Sequence, residues 1–172
     1  FTFFEAIKIS NVSITLVSLS VTSLFVALLQ PLFFKQKLVF YEVVLGLFTI
    51  VGIALIFNIE TRYSNGILMG LLSALLAALF SLTNTLLVKK KEATLISMYE
   101  MLGGVLAFSV YFLFTSKFNA DFFQVSILNW IWLLILGLIC TSFAYVAAVH
   151  VLKVLSPFTA SIAINLEPIY GI

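Results

Sequence analysis

Charge is what this sequence has least of. Only 9% of its 172 residues are Asp, Glu, Lys or Arg, where a soluble domain carries about a quarter. With 63% hydrophobic residues and a mean hydropathy of +1.22, a soluble enzyme and a disordered segment are both excluded. Nine basic against seven acidic residues leave a formal charge of +2, too little for a surface that tracks phosphates, so nucleic acid is no partner. Cysteine is nearly absent. Cys140 alone permits no internal disulfide, and with the single histidine, His150, it cannot build a Cys/His metal centre. There is no glycine-rich phosphate loop. A Ser–His–Asp set would need His150 with Asp121, which the topology below puts on opposite membrane faces. No enzymatic activity and no cofactor is expected.

Long uncharged runs are what the sequence has instead. They extend over 9–34, 43–59, 63–88, 101–116 and 122–152, and a helix needs about 20 mainly apolar residues to cross a bilayer. The runs predict full spans at Val12–Phe34, Phe40–Ile59, Gly66–Val88, Thr94–Thr115 and Ile127–Ala148, flanked by partial spans at Phe1–Ile7 and Ser156–Ile172. Barrel strands would alternate polar and apolar residues. Blocks such as Leu133-Leu134-Ile135-Leu136 do not, so the spans are helices. The fold class is an all-α, polytopic membrane bundle.

Basic residues orient the bundle. Alternate connections collect Lys35, Lys37, Lys89, Lys90, Lys91 and Lys153; the opposite side holds Lys8, Arg62 and Lys117, beside Glu5, Glu60 and Asp121. This asymmetry places the first group in the cytoplasm. The external connections are then Glu60–Asn65 and the Phe-rich Ser116–Ser126, and Trp130 and Trp132 stand at the external start of their span as an interfacial belt.

Two stretches carry a resemblance. Ala27-Leu28-Leu29-Gln30-Pro31-Leu32-Phe33-Phe34-Lys35-Gln36-Lys37-Leu38 is followed by Gly46 and Gly52, and Leu152-Lys153-Val154-Leu155-Ser156-Pro157 leads into Asn165-Leu166-Glu167-Pro168-Ile169-Tyr170-Gly171. The first resembles the helix-pair signature of EamA-type transporters of the drug/metabolite transporter superfamily, and the second is similar to that family's second-repeat signature. The resemblance implies ten helices arranged as two inverted five-helix repeats. By it, the chain runs from the end of the third helix to most of the ninth. Residues 1–60 are then the C-terminal part of the first repeat, and 65–172 the second repeat without its last helix. Gln36 stands where the family often has an acidic residue, so no role of that carboxylate transfers. At an offset of 144 residues, Thr15 meets Thr159 and Ser23-Leu24 meets Glu167-Pro168. Lys8 and Lys153 fall on opposite sides, as inverted repeats require.

A few polar residues inside spans are the candidates for function. Glu100 stands within a turn or two of the cytoplasmic end of its span, and a carboxylate at membrane depth faces either a cavity or a partner. The Gly103-Gly104 pair after it is expected to let another backbone approach closely. Glu167 precedes Pro168, whose missing N–H frees a carbonyl near Ile164; a carboxylate beside a helix break is a common construction for ion and substrate sites. Asn165 shares that turn. Tyr99 and Tyr145 either line a cavity for flat apolar substrates or pack. Asn84, between Thr83 and Thr85, either bonds a neighbouring helix or contacts substrate. Glu42 complements a helix dipole, and Glu5 pairs with Lys8 on the surface. Gly66, Gly70, Ala74 and Ala78 form a ladder at four-residue spacing, which reads as a close helix seam.

The resemblance implies a secondary transporter exporting small metabolites, amino acids or amphipathic drugs by ion coupling or exchange. Its partners would be a small-molecule substrate, the bilayer and a coupling ion such as a proton. The expected place is a bacterial cytoplasmic (inner) membrane. A sugar-phosphate or nucleotide-sugar exchanger is the alternative within the superfamily, but such anions want Lys or Arg inside the spans, and all nine basic residues sit in or near connections. A non-transporting scaffold subunit is the other alternative, disfavoured because a scaffold has no reason to keep buried carboxylates.

Overall fold

In a computed structural model, which describes residues 1–56, 64–115 and 126–166, the chain is helical and no strand occurs among the described residues. The helices are α1 (Thr2–Ile9), α2 (Val12–Ser20), α3 (Thr22–Phe34), α4 (Phe40–Ile56), α5 (Ser64–Val88), α6 (Ala93–Phe114), α7 (Ile127–Ile135), α8 (Ala144–Val151) and α9 (Pro157–Ile164), with a π-helical segment, Leu136–Phe143, joining α7 to α8. Four apolar runs are long enough to cross a membrane: Val12–Phe34, Ser64–Val88, Ala93–Phe114 and Ile127–Val151. Their limits fall within a few residues of those that the charges predict. The end of the span expected at Phe40–Ile59, most of both connections expected to be external, and Glu167 and Pro168 lie outside the described residues.

Helix ends follow local chemistry. The Asn11 side chain caps α2 by accepting from the Ile14 amide at 2.8 Å, and Ser156 caps α9 by accepting from the Thr159 amide at 3.1 Å, with Pro157 in the first turn. Pro31 is accommodated in the last turn of α3, which closes on Lys35 in the left-handed region at φ 52°.

The chain forms two compact units. One holds Phe1–Thr85 and the chain from Leu155 on. Lipid removes most of the hydrophobic drive for helix association, so small residues that let backbones touch supply it instead. Here Gly66 lies against Ser10, and a Cβ on Gly70 would stand 2.5 Å from the Ser18 Cβ. Ala74 and Ala78 are fully buried, so the expected seam exists: Gly66 closes on Ser10, Gly70 on Ser18 of α2, and Ala78 joins Val26 and Ala27 of α3. Further along, Val26 and Ala27 of α3, Ala78 and Leu82 of α5 and Phe158 of α9 close a core.

The run Val12–Phe34 is interrupted at Val21, which the uncharged pattern alone does not show. Four hydroxyls serve carbonyls around the interruption. Ser18 donates to Ile14, Ser20 to Val17, Thr22 to Leu19 and Ser23 to Ser20. Side-chain hydroxyls that compete for backbone in this way bend helices and satisfy backbone groups that water cannot reach.

The other unit is Leu86–Val154. Ala93, Ile96 and Ser97 of α6 and Val149 of α8, with Val88 and Leu152, are its buried residues. α7 and the π segment bury none.

Candidate functional site

Helical spacing brings the polar pair of the second unit together. Ile96 and Glu100 are one turn apart on α6, and Tyr145 and Val149 are one turn apart on α8. Ile96 and Val149 are buried where α6 and α8 pack, so the next turn of each carries Glu100 and Tyr145. The Tyr145 hydroxyl donates to Glu100 Oε2 at 2.9 Å. Both residues are half-buried. A phenol donating to a carboxylate is a charge-assisted bond. It gives Glu100 a partner inside a long apolar run.

Immediately before α8 the backbone is wound as a π-helix, a rarity that marks functional sites. The Thr141 hydroxyl donates to the Leu136 carbonyl at 2.9 Å, and the Ser142 hydroxyl to the Gly137 carbonyl at 2.8 Å. Neither residue stands out in the sequence, although two adjacent hydroxyls four and five residues past Gly137 are the signal that was there to be read.

The remaining candidates fall elsewhere. Tyr99 is exposed, beside Glu100 in sequence but outside its contact with Tyr145. No described atom comes within 4 Å of a Cβ placed on Gly103 or Gly104. The close backbone approach expected at this pair is therefore not made among the described residues, because α6 presents that face outward. In the first unit, Asn165 follows the last turn of α9, and its Nδ2 donates to Ser23 Oγ at 3.0 Å, tying α9 to α3 just past the interruption at Val21. Asn84 on α5 is fully buried, and among the described residues neither its Oδ1 nor its Nδ2 has a hydrogen-bond partner; Gln30 Oε1 on α3 is likewise buried and unpartnered there. Glu42, in the first turn of α4, is buried at 6% exposure, more deeply than its dipole role requires. The expectations for Glu167 and Pro168 lie outside the described residues.

Among the described residues no group of three or more His, Cys, Asp or Glu could hold a metal, and no Lys or Arg lies within the four long apolar runs. The helices define a multi-pass integral membrane protein. The EamA-like transporter family matches residues 64–172, and the chain belongs to that family, membrane transporters of the drug/metabolite superfamily. No curated protein and no solved structure matches it.

Proposed function

We propose that this chain forms part of a secondary transporter that exports small metabolites, amino acids or amphipathic drugs across a bacterial inner membrane, coupled to protons or to exchange. The observation that carries the reading is the Tyr145–Glu100 hydrogen bond inside the α6–α8 pair. A carboxylate held by one phenol can release that bond, take up a proton on one side and return it on the other, or accept a substrate's donor in place of the tyrosine. Glu167, beside Pro168, is the second charged group of the pathway. The absence of Lys and Arg from the four long runs favours neutral or cationic substrates over sugar phosphates.

The spacing of two helix ends is in keeping with the repeat that the resemblance implies. Val21, where the first long run is interrupted, and Asn165, where α9 ends, are 144 residues apart. That is the offset at which Thr15 meets Thr159.

Everted vesicles with an imposed pH gradient test the coupling, with labelled amino acids and an amphipathic dye as probes. Glu100→Gln should cut gradient-driven flux by at least tenfold while exchange persists. Tyr145→Phe should lower it less and shift its pH profile. Glu167→Gln should abolish gradient-driven flux. Wild-type flux across the pH range in both Glu variants would leave the carboxylates as packing elements and remove the coupling scheme.

A further inference from the structure

The hydroxyls of Thr141 and Ser142 differ from the other Ser and Thr hydroxyls bonded to helix backbone in the described chain. Elsewhere such hydroxyls reach three or four residues back: Thr83 to Leu79, Thr85 to Ser81, Thr115 to Tyr111, Ser18 to Ile14. Thr141 and Ser142 each reach five residues back, to Leu136 and Gly137. A carbonyl five residues away is in reach only in the π winding. The two hydroxyls are therefore a catch specific to that winding, absent once the segment rewinds as an α-helix.

Rewinding has a defined geometric result. Loss of one π insertion turns everything on one side of the segment by about 100° and shifts it by about 1.5 Å relative to the other side. The packing of the two sides differs. α8 is fixed on α6 by buried Val149 and by Tyr145 bonded to Glu100. α7 buries no residue, and Ile127 through Thr141 are exposed without exception. Gly137, inside the segment, has no described atom within 4 Å of a Cβ position, so close packing is not what keeps it a glycine. Its low helix propensity suits a segment that must not settle as α-helix.

We propose that Leu136–Phe143 is a swivel, with Thr141 and Ser142 as its catch, that turns α7 with Trp130 and Trp132 while α8 and the Glu100–Tyr145 pair stay in place. The span then has an anchored half that carries Tyr145, bonded to Glu100 of α6, and a movable half that opens or closes the path to that pair. The swivel rests on the transporter reading for its purpose, but not for its existence.

Spin-label distances test it without a substrate. In a Cys140→Ala background of the protein in lipid nanodiscs, one label pair joins α6 to α7 (Leu106→Cys with Leu133→Cys). A second joins α6 to α8 (Leu95→Cys with Ala147→Cys). A side chain on a helix about 10–12 Å across moves on the order of 8 Å when the helix turns by about 100°. Thr141→Val with Ser142→Ala should shift the α6–α7 distance by several ångströms and leave the α6–α8 distance unchanged. Thr141→Ser, which restores the donor, should return the wild-type distance. Gly137→Ala should shift the same distance in the same sense, which covers the case of a double variant that fails to fold. An unchanged α6–α7 distance in the folded double variant or in Gly137→Ala overturns the catch. Movement of the α6–α8 pair overturns the assignment of the fixed half. Loss of coupling in Glu100→Gln with normal distances bears on the proposed function and leaves the swivel standing.

Discussion

A carboxamide buried without a partner costs about 1–3 kcal/mol for each polar group left unbonded. Asn84 leaves both its amide atoms in that state and Gln30 one. A leucine at Asn84 keeps the branching and the number of heavy atoms and removes the penalty. Asn84→Leu should therefore raise the unfolding temperature in detergent and lower transport, because a costly side chain is retained for something other than stability. A variant less stable than wild type would show that the amide finds its partner after all. The sequence marks the stretch Thr83-Asn84-Thr85 but does not separate its members. Thr83 turns outward and bonds its own helix, while Asn84 and Thr85 are buried. Glu100 and Tyr145 were each legible as residues worth attention, from a carboxylate and a phenol inside apolar runs. Their pairing was not, because it depends on the packing of α6 on α8, 45 positions apart in sequence.

At the scale of elements, glycine positions that look alike in sequence separate sharply. Gly66 and Gly70 are closed against Ser10 and Ser18, whereas Gly103 and Gly104 meet nothing among the described residues. Gly70→Ala should cost about 1–3 kcal/mol as overpacking of a closed seam. Gly103→Ala should be neutral, or gain up to about 1 kcal/mol from helix propensity. Thermal unfolding of the purified variants measures both, and a Gly103→Ala loss as large as that of Gly70→Ala would place a partner on that face of α6. Four-residue spacing of small side chains revealed the α5 seam from sequence, since a ladder has a side. An adjacent glycine pair has none, and so its neighbours cannot be inferred. The interruption at Val21 and the π winding escaped for a related reason: hydropathy reports the solvent that a segment prefers, not how its backbone is wound.

For the whole molecule, the spacing of charges was enough to place the long runs, and the family match over residues 64–172 agrees with the resemblance carried by the second stretch, from Leu152 to Gly171; the first, before Gly66, lies outside the match. Orientation is tested by single cysteines and an impermeant thiol reagent, in a Cys140→Ala background. Cysteines at Lys89–Lys91 should label only after the membrane is opened, and one at Lys117 should label from outside. External labelling of the Lys89–Lys91 turn would invert the topology. The span Ile127–Val151 has a consequence of another kind. Its 25 residues would reach about 37 Å as a straight α-helix, against a hydrocarbon core of about 30 Å. A π winding is wider and shorter than an α-helix of the same residues, so it trims the excess length. Bilayer thickness then acts on the span directly. Short-chain lipids should hold it in its compact winding and long-chain lipids should draw it out, which makes the host membrane's acyl-chain length an input to this protein alongside any solute it moves.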